Sequence, residues 1–146
     1  MEGPVRSVKI SVAGREQLIR LKRYTKIEHW NVLCRWALCR SLAEEHAPRS
    51  TAIREWSNVE MTWPVFAGPY GDIFLALLRQ RCVEYGLEVS DEVVAEQFRL
   101  HLHRGLATLA ASGVDINSIQ DLVRLALHSE NPQNRHAPDF LSFSDV

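Results

Sequence analysis

Arg15, Arg20, Lys22, Arg23 and Lys26 crowd into a short span of an otherwise ordinary chain. On a helix Arg15 and Lys22, seven residues apart, share a face. Lys26 lies just beyond them at a helix junction, and Arg20 and Arg23 flank the pair. Several cations on one rigid surface can track phosphates and release counterions, which gives salt-dependent, sequence-independent affinity for DNA. The same spacing also describes a solvated helix face, and spacing alone does not choose between the two.

Other residue types with chemical capacity have a blander reading. His101 and His103 are two apart, so on a helix they point to nearly opposite sides and cannot share one metal ion within a subunit. His101 falls on the side of Phe98, Leu102 and Gly105, which suits a hydrogen-bonded interior imidazole; Gly105 there suits a close approach by another helix. Arg79, Arg81, Arg99 and Arg104 have Asp72, Glu84 and Glu96 as candidate partners, with phosphate binding as the sharper alternative. Cys34, Cys39 and Cys82 each fall in an apolar helical pattern, where a thiol is inert packing more often than a nucleophile. A glycine-rich phosphate loop, a GxSxG elbow and an HExxH motif are all missing, so no catalytic residues, cofactor or metal are expected.

These residues need elements to hold them. Residues 5–12 are rich in β-branched side chains and predict a short strand, whose partner comes from elsewhere in the chain or from a second subunit. A helix is expected from Ser11 or Ala13 to Tyr24, with Leu18 and Leu21 inward. Thr25 and Glu28 read as a capping box that starts a second helix at Lys26. In that helix Trp30, Leu33, Cys34, Ala37, Leu38 and Ser41 form one apolar stripe, and Val32, Trp36, Cys39 and Ala43 form a second. Two such faces in a small protein predict a homo-oligomer.

Residues 47–69 lack helical period and read as a long loop or a short extended pair, pinned by Trp56, Met61, Trp63 and Phe66. Residues 68–109 read as a core helix pair joined near Gly86. Ile73 to Leu78, apolar all round, would be its centre; Ser90 is the expected N-cap of the second member and Gly113 its stop. A last helix is expected over 118–129, and residues 130–146 read as an extended or mobile tail.

The chain has 146 residues, 46% hydrophobic and 24% charged, which suits one globular domain over 1–129 and neither a disordered nor a membrane protein. Odd cysteine number, no signal-peptide core and no long apolar run together predict a cytoplasmic location. The net charge of −1 conceals a division. Residues 1–50 carry ten Lys or Arg against five Asp or Glu, and the remainder seven against thirteen. A basic, nucleic-acid-facing surface near the N-terminus follows, unless the acidic part merely neutralises it.

Three blocks carry a family resemblance. They are LKRYTKIEHWNVLCRWALCRSL from Leu21, GPYGDIFLALLRQR from Gly68, and HLHRG over residues 101–105. In the first, Leu21, Lys22, Thr25, Ile27, Asn31 to Arg35, Ala37, Leu38, Ser41 and Leu42 match a Leu-Lys pair, a Thr-x-Ile turn and an NVL-x-R-x-AL helix. The chain thereby resembles the DndE family, the small subunit of bacterial DNA phosphorothioation (sulfur-modification) systems. Lys26 stands where the family pattern has Gly, a departure that counts against a left-handed turn and adds a positive charge. Pro69 stands where an acidic residue is usual, and the resemblance ends near Leu109.

The resemblance implies a compact, mainly α protein with a short N-terminal strand and a ribbon-helix-helix-like start, forming a homotetramer without catalytic activity. Its implied partners are intact or nicked duplex DNA and the other sulfur-modification proteins. Lys22 alone matches a family position among the cations; Arg15, Arg20, Arg23 and Lys26 extend the set by charge and face. The leading expectation is a DNA-binding subunit of the modification machinery. The rival is a scaffold that assembles the other subunits without needing DNA, and a metal-dependent nuclease using His101 or His103 is the weakest reading.

Overall fold

The structure, a computed structural model, describes residues 3–111 together with Val123. It is mostly helical. Strand β1 (Ser7–Ser11) runs directly into α1 (Val12–Thr25) and then α2 (Trp30–Leu42). Strand β2 (Trp56–Thr62), α3 (Trp63–Ala67), a 3-10 turn over Gly68–Tyr70, α4 (Gly71–Glu84) and α5 (Asp91–Ala111) follow. The expected stop at Gly113, last helix over 118–129 and tail over 130–146 lie outside the described residues.

Helix α5 is the element on which α1, α2 and α4 pack. Ser90 caps its start as the sequence predicts: the Ser90 hydroxyl accepts from the Val93 amide at 3.3 Å, and Asp91 and Glu92 occupy the first turn. Their carboxylates face the positive end of the helix dipole. Gly86, at φ 71°, turns the chain between α4 and α5. Deepest is the crossing of α2 and α5, where a Cβ on Gly105 would meet the Ala37 carbonyl oxygen at 1.8 Å. Only hydrogen fits there, as expected for a close helix approach.

The partner of β1 is β2 of the same chain, antiparallel, with Ser7 opposite Thr62 and Val8 opposite Met61. The pairing slips between Lys9 and Ser11, and the Ser57 hydroxyl bridges the irregularity by donating to the Ile10 carbonyl at 2.6 Å and accepting from the Val59 amide at 3.1 Å. Of the stretch expected as a long loop or a short extended pair, residues 56–62 are therefore extended, whereas 63–67, expected to lack helical period, form α3, which the Thr62 hydroxyl caps by accepting from the Val65 amide. The aromatic anchors of that stretch behave as foreseen at Phe66, which is buried and meets Trp63, Phe74 and Phe98 at 5.2–5.7 Å between ring centres. Trp56 does not: it is half exposed, its ring edge-on to His103.

Three local expectations fail for identifiable reasons. Thr25 does not cap a new helix, because its buried hydroxyl donates to the Leu21 carbonyl at 2.8 Å and accepts from the Ile27 amide at 3.2 Å. It ends α1, and α2 begins only at Trp30. Lys26 takes the left-handed conformation after all, at φ 62°, because its amide closes the last turn of α1 on the Lys22 carbonyl at 3.1 Å. Finally, Ile73–Leu78 is only half core: Phe74, Leu75 and Leu78 are buried, whereas Ile73 is 58% and Leu77 44% exposed.

Candidate nucleic-acid interface

Helix α1 is fixed to the body at its start and along one side. Ser11, in extended conformation, accepts from the Gly14 amide at 2.9 Å and donates its own amide to His103 Nε2 at 3.1 Å. Gly14, Leu18, Leu21 and Thr25 are buried along one side. The rest of the circumference carries Arg15, Arg20, Lys22 and Arg23, all exposed, with Glu16 as the one acid of the helix. Lys26 is exposed just past the C-terminus.

The structure leaves all five cations exposed, but it does not gather them into a single row. Arg15 and Lys22 line up with the partly exposed Ile19, while Arg20 and Arg23 sit further round the helix. Among the described residues none of the five forms an ion pair with a carboxylate. Lys22 and Arg23 also lie in the last turn, where they complement the helix dipole.

Most of the other singled-out residues make contacts within the fold. His101 is fully buried. Arg104 Nε donates to the Ser41 hydroxyl at 2.8 Å and Arg104 Nη2, which can only donate, lies 3.5 Å from His101 Nδ1; Nδ1 is therefore the acceptor, taking the Ser41 hydroxyl proton at 2.8 Å, and Nε2–H faces the Tyr85 oxygen at 3.2 Å. Burial, then the positive charges of Arg104 and Arg81, push its pKa down to about 4. His103 takes the other tautomer: Nδ1–H donates to the Arg99 carbonyl at 2.9 Å and Nε2 accepts from Ser11. Burial lowers its pKa too, against the opposing effect of the Arg99 carbonyl bond.

The HLHRG block is thus a lock. His101 and Arg104 tie α5 to the end of α2, His103 ties it to the start of α1, and Gly105 lets α2 in. The first block acts similarly on α3. Asn31 Nδ2 donates to the Val65 carbonyl at 3.0 Å and Arg35 Nη1 to the Phe66 carbonyl at 3.1 Å, holding the end of that helix.

The arginines pair only partly as expected. Arg81 meets Glu84 and Arg99 meets Glu96, but Arg104 reaches Glu44 at 3.5 Å, an acid that no sequence spacing singles out. Tyr85 and the polar role of Ser41 were likewise invisible, since Ser41 simply falls on an apolar stripe. Cys34 and Cys82 are buried, and burial raises both thiol pKa values, that of Cys34 to about 12. Cys39 is exposed on the outer face of α2, not packed inside, and desolvation by its neighbours raises its pKa as well. Among the described residues no group of three His, Cys, Asp or Glu could hold a metal, and no helix is long and apolar enough to cross a membrane.

Two apolar strips stay exposed among the described residues. On α2, Cys39 and Ala43 are exposed and Val32 and Trp36 half-buried; on α4, Ile73 and Leu77 are exposed. The family model described as DNA sulphur modification protein DndE matches residues 7–117. No curated protein matches the chain.

Proposed function

The chain belongs to the DndE family of DNA sulphur modification proteins, and from that premise we propose that it is a non-catalytic subunit that holds duplex DNA, intact or nicked, through α1. Arg15, Arg20, Lys22, Arg23 and Lys26 face the phosphate backbone, and a homotetramer multiplies the footprint. The observation that carries this reading is the set of exposed cations on and just after α1, which form no ion pair with a carboxylate among the described residues. Charges in this state release DNA counterions at little cost in broken ion pairs. The test is retention of matched intact and nicked duplexes by the wild type and by the Arg15→Glu, Lys22→Glu, Lys26→Glu triple variant. Loss of retention at unchanged oligomer mass supports the reading; unchanged retention overturns the residue assignment.

A second reading has its own observation. The apolar strips of α2 and α4 favour protein contacts, between copies or with other modification subunits, so a cytoplasmic scaffold needs no DNA at all. Capture of the partner subunits after nuclease treatment, together with no DNA binding at low salt, would favour the scaffold.

A further inference from the structure

A groove of about 500 Å³ lies between the first turn of α1, the segment 46–53 and the middle of α5. That volume is in the range of small-molecule sites. Its lining is electrically one-sided: Arg49, Arg99 and Arg104 contribute to it, and no Asp or Glu does. Glu96 and Glu44, the acids that reach Arg99 and Arg104, pair with them from outside that lining. The Arg49 side chain is exposed and has no ion pair among the described residues.

Ala13 and Gln17 of α1 also line the groove. The Val12 amide donates to the Glu55 carbonyl and the Gly14 amide to Ser11, which leaves the Ala13 amide without a partner among the described residues. The positive end of the helix dipole therefore adds to the arginines. Pro48, Ile53 and Leu100 supply apolar surface.

We propose that this groove binds a phosphate ester of nucleotide size, with the phosphate between Arg49, Arg99 and the start of α1 and the organic part against Pro48, Ile53 and Leu100. Arginine suits this role because its planar fork matches phosphate oxygens; the Arg49 fork has no ion pair among the described residues, whereas Arg99, oriented by Glu96 and by its bond to the Thr51 carbonyl at 2.8 Å, holds both through Nε and Nη2 and can offer only Nη1. A free nucleoside monophosphate and a phosphate of a DNA strand share this chemistry. None of the five outward cations of α1 lines the groove, so the site stands apart from the proposed duplex interface.

Calorimetric titration of the full chain with deoxyadenosine 5′-monophosphate, and with deoxyadenosine as control, tests the proposal. Binding of the phosphate ester and not of the nucleoside is expected, weakened about tenfold or more by Arg49→Glu. Gln17→Glu, at another lining position, should weaken it in the same direction. Absence of binding, equal binding of the nucleoside, or full affinity in both variants overturns the proposal. Duplex DNA added to the nucleotide complex displaces the nucleotide if a strand phosphate is the natural ligand, and leaves it bound if a free nucleotide is. The α1 triple variant should keep its nucleotide affinity, so failure of the duplex interface and failure of this groove are read separately.

Discussion

The α carbon of Gly105 faces the Ala37 carbonyl so closely that a methyl group there would lie 1.8 Å from the oxygen. Backbone stands on both sides of this contact, so no flexible side chain can yield. Gly105→Ala must push α2 off α5, and a loss of about 3 kcal/mol or more is expected, measured as a lowered urea midpoint. Gly86→Ala, strained by φ 71° but with nothing within 4 Å of the new Cβ, should cost roughly 1 kcal/mol.

Lys26 makes the opposite case. Its left-handed backbone is one that glycine adopts without strain. Lys26→Gly should raise stability by up to about 1 kcal/mol in thermal unfolding, while removing one cation from the proposed DNA surface. A fall in melting temperature would show that the lysine stem contributes packing that exposure conceals.

The two imidazoles set an acid limit. The pKa of His101 is held at about 4 in the fold against 6.5 for an ordinary histidine. The unfolded chain therefore binds more protons between these values, and stability is complete above about pH 6.5 and declines as pH falls toward about 4. His101 alone should account for about 3 kcal/mol across that window, and His103 adds in the same direction. His101→Gln should lower stability at neutral pH yet flatten the decline, as read from urea midpoints at a series of pH values.

Salt dependence separates a phosphate-tracking surface from a merely solvated one. Replacing Arg15, Lys22 and Lys26 by Gln should reduce the slope of log affinity against log salt by about three for duplex DNA. An unchanged slope would place the phosphate contacts elsewhere on the chain.

The apolar strip of α4 predicts self-association. Leu77→Glu, at a position already 44% exposed in the single chain, should leave helical content intact and reduce the mass in solution if α4 is shared between copies. An unchanged mass would assign the strip to another partner or to none.

Sequence periodicity and capping chemistry were enough to place much of the helical framework. Leu18 and Leu21 declare the inner side of α1 and its cations the outer, and Ser90 with Asp91 and Glu92 announces α5. These signals are local, because a helix satisfies its own backbone and its period is written in consecutive residues. Gly105 was legible as a close-packing site for the same reason.

What needed the tertiary structure depends on residues far apart in the chain. Thr25 could cap the next helix or end its own, and only the burial of its hydroxyl against Leu21 decided. The strand over 56–62 became one by pairing with 7–11. The two histidines, identical in sequence terms, acquired opposite tautomers because α5 meets Ser41 and Tyr85 on one side and the amide of Ser11 on the other. The groove beside Arg49 exists only because segment 46–53 folds across α1 and α5. Long-range hydrogen bonds and packed surfaces of this kind leave no period in the sequence, so the helices were readable in advance and their meeting points were not.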